Sequence, residues 1–88
     1  MIRKHLIFHG SVQGVGFRYY CVSEARRLGL TGWVRNLCDG TVEAEIQGSA
    51  DAIRSLIDYM SGRDWIEITD IEEKNIPVRH EHTFRERW

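Results

Sequence analysis

A glycine-rich segment constrains the fold more than any other part of the chain. Residues 10–18 read Gly-Ser-Val-Gln-Gly-Val-Gly-Phe-Arg, and the three glycines let the backbone turn tightly and approach a ligand without interference from Cβ atoms. A helical pattern follows at once, so the N–H groups of the loop and the positive end of the helix can face one anion. Arg18 adds a permanently charged planar guanidinium that suits two phosphate oxygens. The segment therefore predicts a loop and helix start that bind a phosphate-sized group.

The remaining sequence alternates between strand and helix patterns. We predict strands near residues 3–9, 31–37, 42–47, 66–71 and 80–87, and helices at 18–28 and from Ser49 or Asp51 to Gly62. Asp39-Gly40 predicts a hairpin turn, and the change of phase between Ile68 and Ile71 suggests a β-bulge. The order β-α-β-β-α-β predicts an α+β fold: a ferredoxin-like βαββαβ sandwich with an antiparallel sheet and two helices on one face.

Size and charge narrow the class of protein. With 88 residues the chain has room for one hydrophobic core, so we expect a single domain over residues 1–88. The formal net charge of −1 provides no overall attraction to nucleic acid or to an anionic membrane. No apolar stretch reaches the roughly 18 residues of a membrane span, and the first residues lack the apolar run of a signal peptide. We expect a cytoplasmic monomer that binds neither nucleic acid nor membrane.

A second motif accompanies the glycine-rich segment. Residues 32–36 read Gly-Trp-Val-Arg-Asn, and Gly40, Val42 and Gly48 follow at set intervals. Together with residues 10–18, this pattern resembles the two signatures of the acylphosphatase family. Two independent spaced motifs in a chain of the right length are far more specific than either alone.

The resemblance implies an enzyme that hydrolyses the carboxyl–phosphate bond of acyl phosphates to a carboxylate and inorganic phosphate, with no metal or other cofactor. It also implies a phosphate cradle made of Gln13, Gly14, Val15, Gly16, Phe17 and Arg18. Arg18 would bind the phosphoryl oxygens, and Asn36 would orient the attacking water by accepting one hydrogen bond and donating another. Asn is not a general base at neutral pH, so the group that accepts the proton of the water stays open. Inorganic phosphate is expected to compete with the small-molecule acyl phosphate substrate.

Other functions remain compatible with the same loop and fold. A non-catalytic module that binds phosphate-containing ligands is the main alternative, and only activity separates it from the enzyme. Acylphosphatase-like domains also occur within larger hydrogenase-maturation proteins, where they handle carbamoyl phosphate, but the short chain argues against this role. Some ferredoxin-like folds bind RNA through aromatic residues of the sheet, yet this chain lacks a basic surface for that.

The two cysteines offer a further candidate chemistry. Cys21 and Arg27 have the Cys-x5-Arg spacing of cysteine-dependent phosphatases, but residues 22–26 contain no glycine and lie within a helical pattern. We therefore do not expect a thiol mechanism. Cys21 and Cys38 are too few for a disulfide scaffold and lack metal-ligand spacing, so two reduced thiols are expected, although a pair between them stays open.

Three positions depart from the family pattern. Phe8 stands where a smaller aliphatic residue is usual, Glu86 replaces a usually apolar residue, and the sequence ends in Arg87-Trp88 where Arg-Tyr is common. We expect Phe8 and Trp88 to affect the support of the loop, and Glu86 to affect only the packing of the terminal strand.

Overall fold

The computed structural model describes residues 1–88 and contains five strands and two helices. The elements are β1 (Ile2–Ser11), α1 (Phe17–Arg27), β2 (Thr31–Asn36), β3 (Val42–Gly48), α2 (Ala50–Ser61), β4 (Glu67–Ile76) and β5 (Phe84–Glu86). The predicted β-α-β-β-α-β order is confirmed, and the short strand predicted near the end of the sequence follows it as β5. The last strand is shorter than predicted, because residues 77–83 have no regular structure.

The strands form one sheet in the order β4-β1-β3-β2-β5. The first four strands pair antiparallel, as predicted. In contrast, β5 pairs parallel with β2, in a register that runs from Gly32–Phe84 to Val34–Glu86, and it makes the sheet mixed. This parallel pair brings the last residues of the chain beside β2 and α1.

The pairing of β1 with β4 contains the predicted irregularity. His9 lies opposite Asp70, but the next residue, Gly10, lies opposite Ile68, so Thr69 is an extra residue on β4. The extra residue changes the alternation of the strand. Ile68 and Ile71 therefore both pack against the core, although a regular strand would direct them to opposite faces.

Both helices pack on one face of the sheet, as predicted, because the apolar positions of the strands alternate onto that face. The buried cluster includes Leu6, Phe8, Val34, Val42, Ala44 and Ile46 from the strands, Phe17, Cys21 and Ala25 from α1, and Ile53, Leu56 and Met60 from α2. The rings of Phe8 and Phe17 lie 5.0 Å apart, which joins β1 to the first turn of α1. In α2, Ser49 caps the first turn through a 3.1 Å hydrogen bond from the Ala52 N–H.

The other face of the sheet is polar and is partly covered by residues 77–83. Arg3 is fully buried there; its Nε donates to Glu45 Oε1 at 2.9 Å and its Nη1 donates to Glu81 Oε1 at 2.8 Å. The side-chain amide of Gln47 exchanges two hydrogen bonds of 2.8 Å with the backbone of Arg79. These bonds hold the irregular segment against the sheet.

Candidate active site

The loop between β1 and α1 leaves several backbone donors without a protein partner. Gly14 and Gly16 have φ angles of +75° and +81°, in the left-handed region that favours glycine. Gly16 precedes the helix and provides no side-chain cap. The first helical bond is donated by the Tyr20 N–H to the Gly16 carbonyl oxygen at 3.0 Å, so the N–H groups of the first three helical residues have no acceptor in the protein. The positive end of α1 is therefore open to an anion.

Arg18 is the second residue of α1 and projects beside these donors. Its side chain is 24% exposed, and its Nη1 lies 3.7 Å from Glu86 Oε2. Its guanidinium carbon lies 4.6 Å from the centre of the Trp88 ring. Since 3.7 Å is longer than a hydrogen bond, the contact with Glu86 leaves the donors of the guanidinium available to a ligand.

Asn36 is the last residue of β2 and lies opposite Val42 of β3. It borders the same cavity as the start of α1, a hollow of about 170 Å³. The lining residues are Val12, Gly14, Gly16, Phe17, Arg18, Tyr19, Asn36 and Glu86. The cavity thus brings together Arg18 and Asn36, which belong to different elements of the chain.

Two residues of the predicted cradle, Gln13 and Val15, do not line this cavity. The side-chain amide of Gln13 donates to the carbonyl oxygens of Leu37 and Thr41 at 2.7 and 2.8 Å. It ties the loop to the turn between β2 and β3. Val15 lines a neighbouring hollow with Tyr20 and other residues. A contact between the substrate and the backbone of Gln13 or Val15 stays a prediction.

The turn between β2 and β3, which accepts the hydrogen bonds of Gln13, is stabilised by hydrogen bonds of its own. Asp39 Oδ1 accepts hydrogen bonds from the Thr41 hydroxyl at 2.6 Å and from the Thr41 N–H at 3.0 Å. These bonds, the hydroxyl bond first, hold the pKa of the Asp39 carboxyl below its usual range. These bonds therefore hold the carbonyl oxygen of Thr41 in position to accept the hydrogen bond from Gln13.

Two contacts of Arg18 were not predicted from the sequence. Glu86 was expected to affect only terminal packing, but its carboxylate lines the cavity and lies beside Arg18. Trp88 was expected to act through the support of the loop, whereas its ring contacts the guanidinium directly. Both contacts depend on the parallel pairing of β5 with β2, and a strand of three residues carries no periodicity that would have indicated it.

The thiol chemistry considered for Cys21 is inconsistent with its surroundings. Cys21 lies within α1 and is buried in the core, and this burial raises the pKa of its thiol to about 12. Cys21 therefore supplies no thiolate nucleophile at neutral pH. Cys38 is exposed, and both cysteines are free thiols.

The structure contains neither a cluster of metal-ligating side chains nor a helix that could span a membrane. No group of three or more His, Cys, Asp or Glu side chains has a geometry that could hold a metal ion. Neither helix has the length and apolar character needed to cross a membrane.

The fold is that of a βαββαβ protein, with a cavity at a helix start whose N–H groups have no acceptor in the protein. The chain belongs to the acylphosphatase family, whose family model matches residues 4–86. An acylphosphatase from Bifidobacterium longum is 48% identical over 79 residues, which are 89% of this chain and 81% of the relative.

Solved structures agree with this family assignment. The crystal structure of acylphosphatase from Bacillus subtilis is 34% identical, covers all of both chains and has a TM-score of 0.92. The crystal structure of HypF from T. kodakarensis is 31% identical with a TM-score of 0.85, and this chain covers 12% of its length. The predictions of a ferredoxin-like fold and of an acylphosphatase that acts on acyl phosphates are thereby confirmed.

Proposed function

We propose that acyl phosphates are hydrolysed in the cavity between the start of α1 and the end of β2, with Arg18 and Asn36 as catalytic residues. The observation that carries the proposal is the shared lining of this cavity. The first residues of α1, whose N–H groups have no protein acceptor, border it together with the guanidinium of Arg18 and the carboxamide of Asn36. Glu86 contributes the one carboxylate among the lining residues.

The chemistry of the substrate explains why these groups suffice. An acyl phosphate is a mixed anhydride whose leaving group is a carboxylate, which is already stable without protonation. What remains is to neutralise the charge on the phosphoryl group and to direct the attacking water. Phosphoryl transfer is catalysed mainly by positioning and electrostatic stabilisation. Arg18 and the N–H groups of the helix start provide positive potential for the three phosphoryl oxygens.

Asn36 directs the attacking water. Its carboxamide oxygen accepts a hydrogen bond from the water and its NH₂ group donates one, which fixes the direction of attack on phosphorus. The amide takes no proton from the water at neutral pH. We propose that a phosphoryl oxygen of the substrate accepts this proton.

A wider, open pocket adjoins the cavity that contains Arg18 and Asn36, which we call the phosphoryl cavity. It is lined by Tyr19, Val22, Ser23, Arg26 and Glu86, and it shares Tyr19 and Glu86 with the cavity. The acyl group of a bound substrate extends into this open side. An open surface suits a site that recognises the phosphoryl end of its substrate more than the acyl group.

Further properties of the protein belong to the same proposal. Inorganic phosphate, as the product, competes with substrate for Arg18. Hydrolysis needs no metal ion, the protein is a monomer, and it acts in the cytoplasm as one domain over residues 1–88. Phosphate inhibition, turnover in the presence of a chelator, analytical ultracentrifugation and cell fractionation test these properties.

The experiment that tests the proposal is hydrolysis of benzoyl phosphate, with chelator, by the native chain and by Arg18→Ala and Asn36→Ala. We expect Arg18→Ala to lose about 10³-fold or more in kcat/KM, because the charge that binds the phosphoryl group is gone. We expect Asn36→Ala to lose about 10²-fold in kcat with a smaller change in KM, because the water is no longer directed.

Arg54→Ala is the matched control for loss of one arginine. Arg54 is exposed and lines a different hollow beside Ile2 and Lys4, at the start of β1, whereas the glycine loop follows the end of β1. Normal turnover by a folded Asn36→Ala variant would remove the water-positioning role. A native chain that binds phosphate but has no turnover would favour the non-catalytic binding module.

A further inference from the structure

We propose that Glu86 is a further determinant of phosphate affinity in the phosphoryl cavity, where its carboxylate competes with bound phosphate for Arg18 and promotes release of the product. The inference rests on the assignment of Arg18 as the phosphoryl-binding residue. It concerns a position at which this chain carries a carboxylate where an apolar residue is usual in the family pattern.

The fold places Glu86 at the cavity through β5. Glu86 is the last residue of β5 and lies opposite Val34, two residues before Asn36 on β2. Its carboxylate borders both the phosphoryl cavity and the wider pocket beside it. Any anion that enters the cavity therefore approaches the carboxylate as well as the positive groups.

The contact between Glu86 and Arg18 is weak enough for a bound ligand to displace it. Glu86 Oε2 lies 3.7 Å from Arg18 Nη1, and the two side chains are 35% and 24% exposed. Solvent screens the attraction at this exposure, so the pair does not hold Arg18 as a buried ion pair would. The carboxylate is nevertheless close enough to repel a phosphate bound to the same guanidinium.

The consequence is a balance between binding and release. A carboxylate beside an anion site lowers the affinity for every phosphate-bearing ligand, including the product. Since binding that is equally strong for substrate and product does not raise kcat, a moderate loss of ground-state affinity is compatible with rapid turnover. Glu86 acts on affinity through Arg18 and takes no part in bond breaking.

The test measures phosphate binding to the native chain and to Glu86→Gln, which keeps the shape of the side chain and removes its charge. Titration calorimetry with inorganic phosphate gives Kd without substrate, and inhibition of benzoyl phosphate hydrolysis gives Ki. We expect both constants to fall by about fivefold in Glu86→Gln. The difference should shrink as potassium chloride is raised, because screening weakens the repulsion in the native chain.

Asp58→Asn is the matched control. Asp58 is an exposed carboxylate on α2 in the hollow near Ile2 and Lys4, away from the glycine loop, so its neutralisation should leave the Kd of phosphate unchanged. If Glu86→Gln does not fold, Glu86→Ser removes the same charge from an exposed strand end and serves in its place.

An unchanged or weaker affinity in Glu86→Gln would overturn the inference. The weaker affinity would mean that Glu86 holds Arg18 in its binding orientation. The same titration with Arg18→Ala separates the two proposals. Loss of phosphate binding in Arg18→Ala with no effect of Glu86→Gln rejects only the role of Glu86, whereas normal binding by Arg18→Ala rejects the phosphoryl site itself.

Discussion

Arg3 and Arg18 occupy opposite situations within the same small fold. Arg3 is fully buried on the outer face of the sheet, where Glu45 and Glu81 accept its hydrogen bonds. Arg18 is partly exposed at the start of α1, and its carboxylate neighbour, Glu86, lies beyond hydrogen-bond distance. A buried guanidinium held between two carboxylates stabilises the fold, whereas one with free donors beside unbonded N–H groups can bind a ligand. The partners of the arginine, and not its residue type, separate the two roles.

The comparison predicts that Arg18 is required for activity and not for stability. Arg18→Lys keeps the positive charge but loses the planar fork that binds two phosphoryl oxygens, so we expect kcat/KM for benzoyl phosphate to fall by about 10²- to 10³-fold. The free energy of unfolding in urea should change by about 0.5 kcal/mol or less, because the side chain makes no short hydrogen bond within the protein. A Lys variant with native kcat/KM would show that charge alone is sufficient at this position.

Arg3 should be required for stability and not for activity. Arg3→Met leaves the carboxylates of Glu45 and Glu81 without their shared cation, so we expect unfolding in urea to require about 3 kcal/mol less free energy. The remaining folded protein should retain its kcat/KM, since Arg3 lies on the face of the sheet opposite the helices. Glu81→Gln is the control, because it removes one partly exposed partner and should cost about 1 kcal/mol. A loss of activity in folded Arg3→Met would contradict the division between the two arginines.

Substitution of Gln13 should lower both stability and activity, each by less than the corresponding arginine substitution. Gln13→Ala removes the two hydrogen bonds that tie the glycine loop to the turn after β2, so we expect a loss of about 1 to 2 kcal/mol in stability. The loop would also be less well positioned, and kcat/KM should fall by about tenfold.

Gln47→Ala is the control for this third prediction. Gln47 also makes two hydrogen bonds to the backbone, at Arg79, but on the outer face of the sheet. Its Oε1 also accepts a 3.2 Å hydrogen bond from Arg3 Nη1, so Gln47→Ala should lower stability by at least as much as Gln13→Ala and leave kcat/KM intact. Equal losses of activity in the two variants would mean that Gln13 acts only through general stability.

The elements that position the site could be predicted because their signals are local. The three glycines before a helical pattern predicted the loop, and the alternation from Val42 to Ile46 predicted β3. Even the bulge on β4 was visible, since an extra residue such as Thr69 shifts the phase between Ile68 and Ile71. Each of these features depends on residues that are only a few positions apart in the sequence.

The surroundings of Arg18 could not be predicted in the same way. Arg18 and Asn36 were predicted as candidates, whereas Glu86 was assigned to terminal packing and Trp88 to the support of the loop. A side chain far along the sequence reaches the start of α1 only because β5 joins β2 in parallel. The role of the Gln13 side chain was missed for a similar reason, since its acceptors lie in the turn between two other strands.

The sequence by itself determined the element order, the glycine loop, the family and the two candidate catalytic residues, because periodicity and motif spacing are properties of neighbouring residues. The tertiary structure decided which groups face the cavity, which arginine is buried between carboxylates and which keeps its donors free, and that a carboxylate borders the proposed phosphoryl site. Those properties depend on distances between segments that are remote in the chain. Such distances are set only when the strands pair into the sheet and the helices pack against it to exclude water.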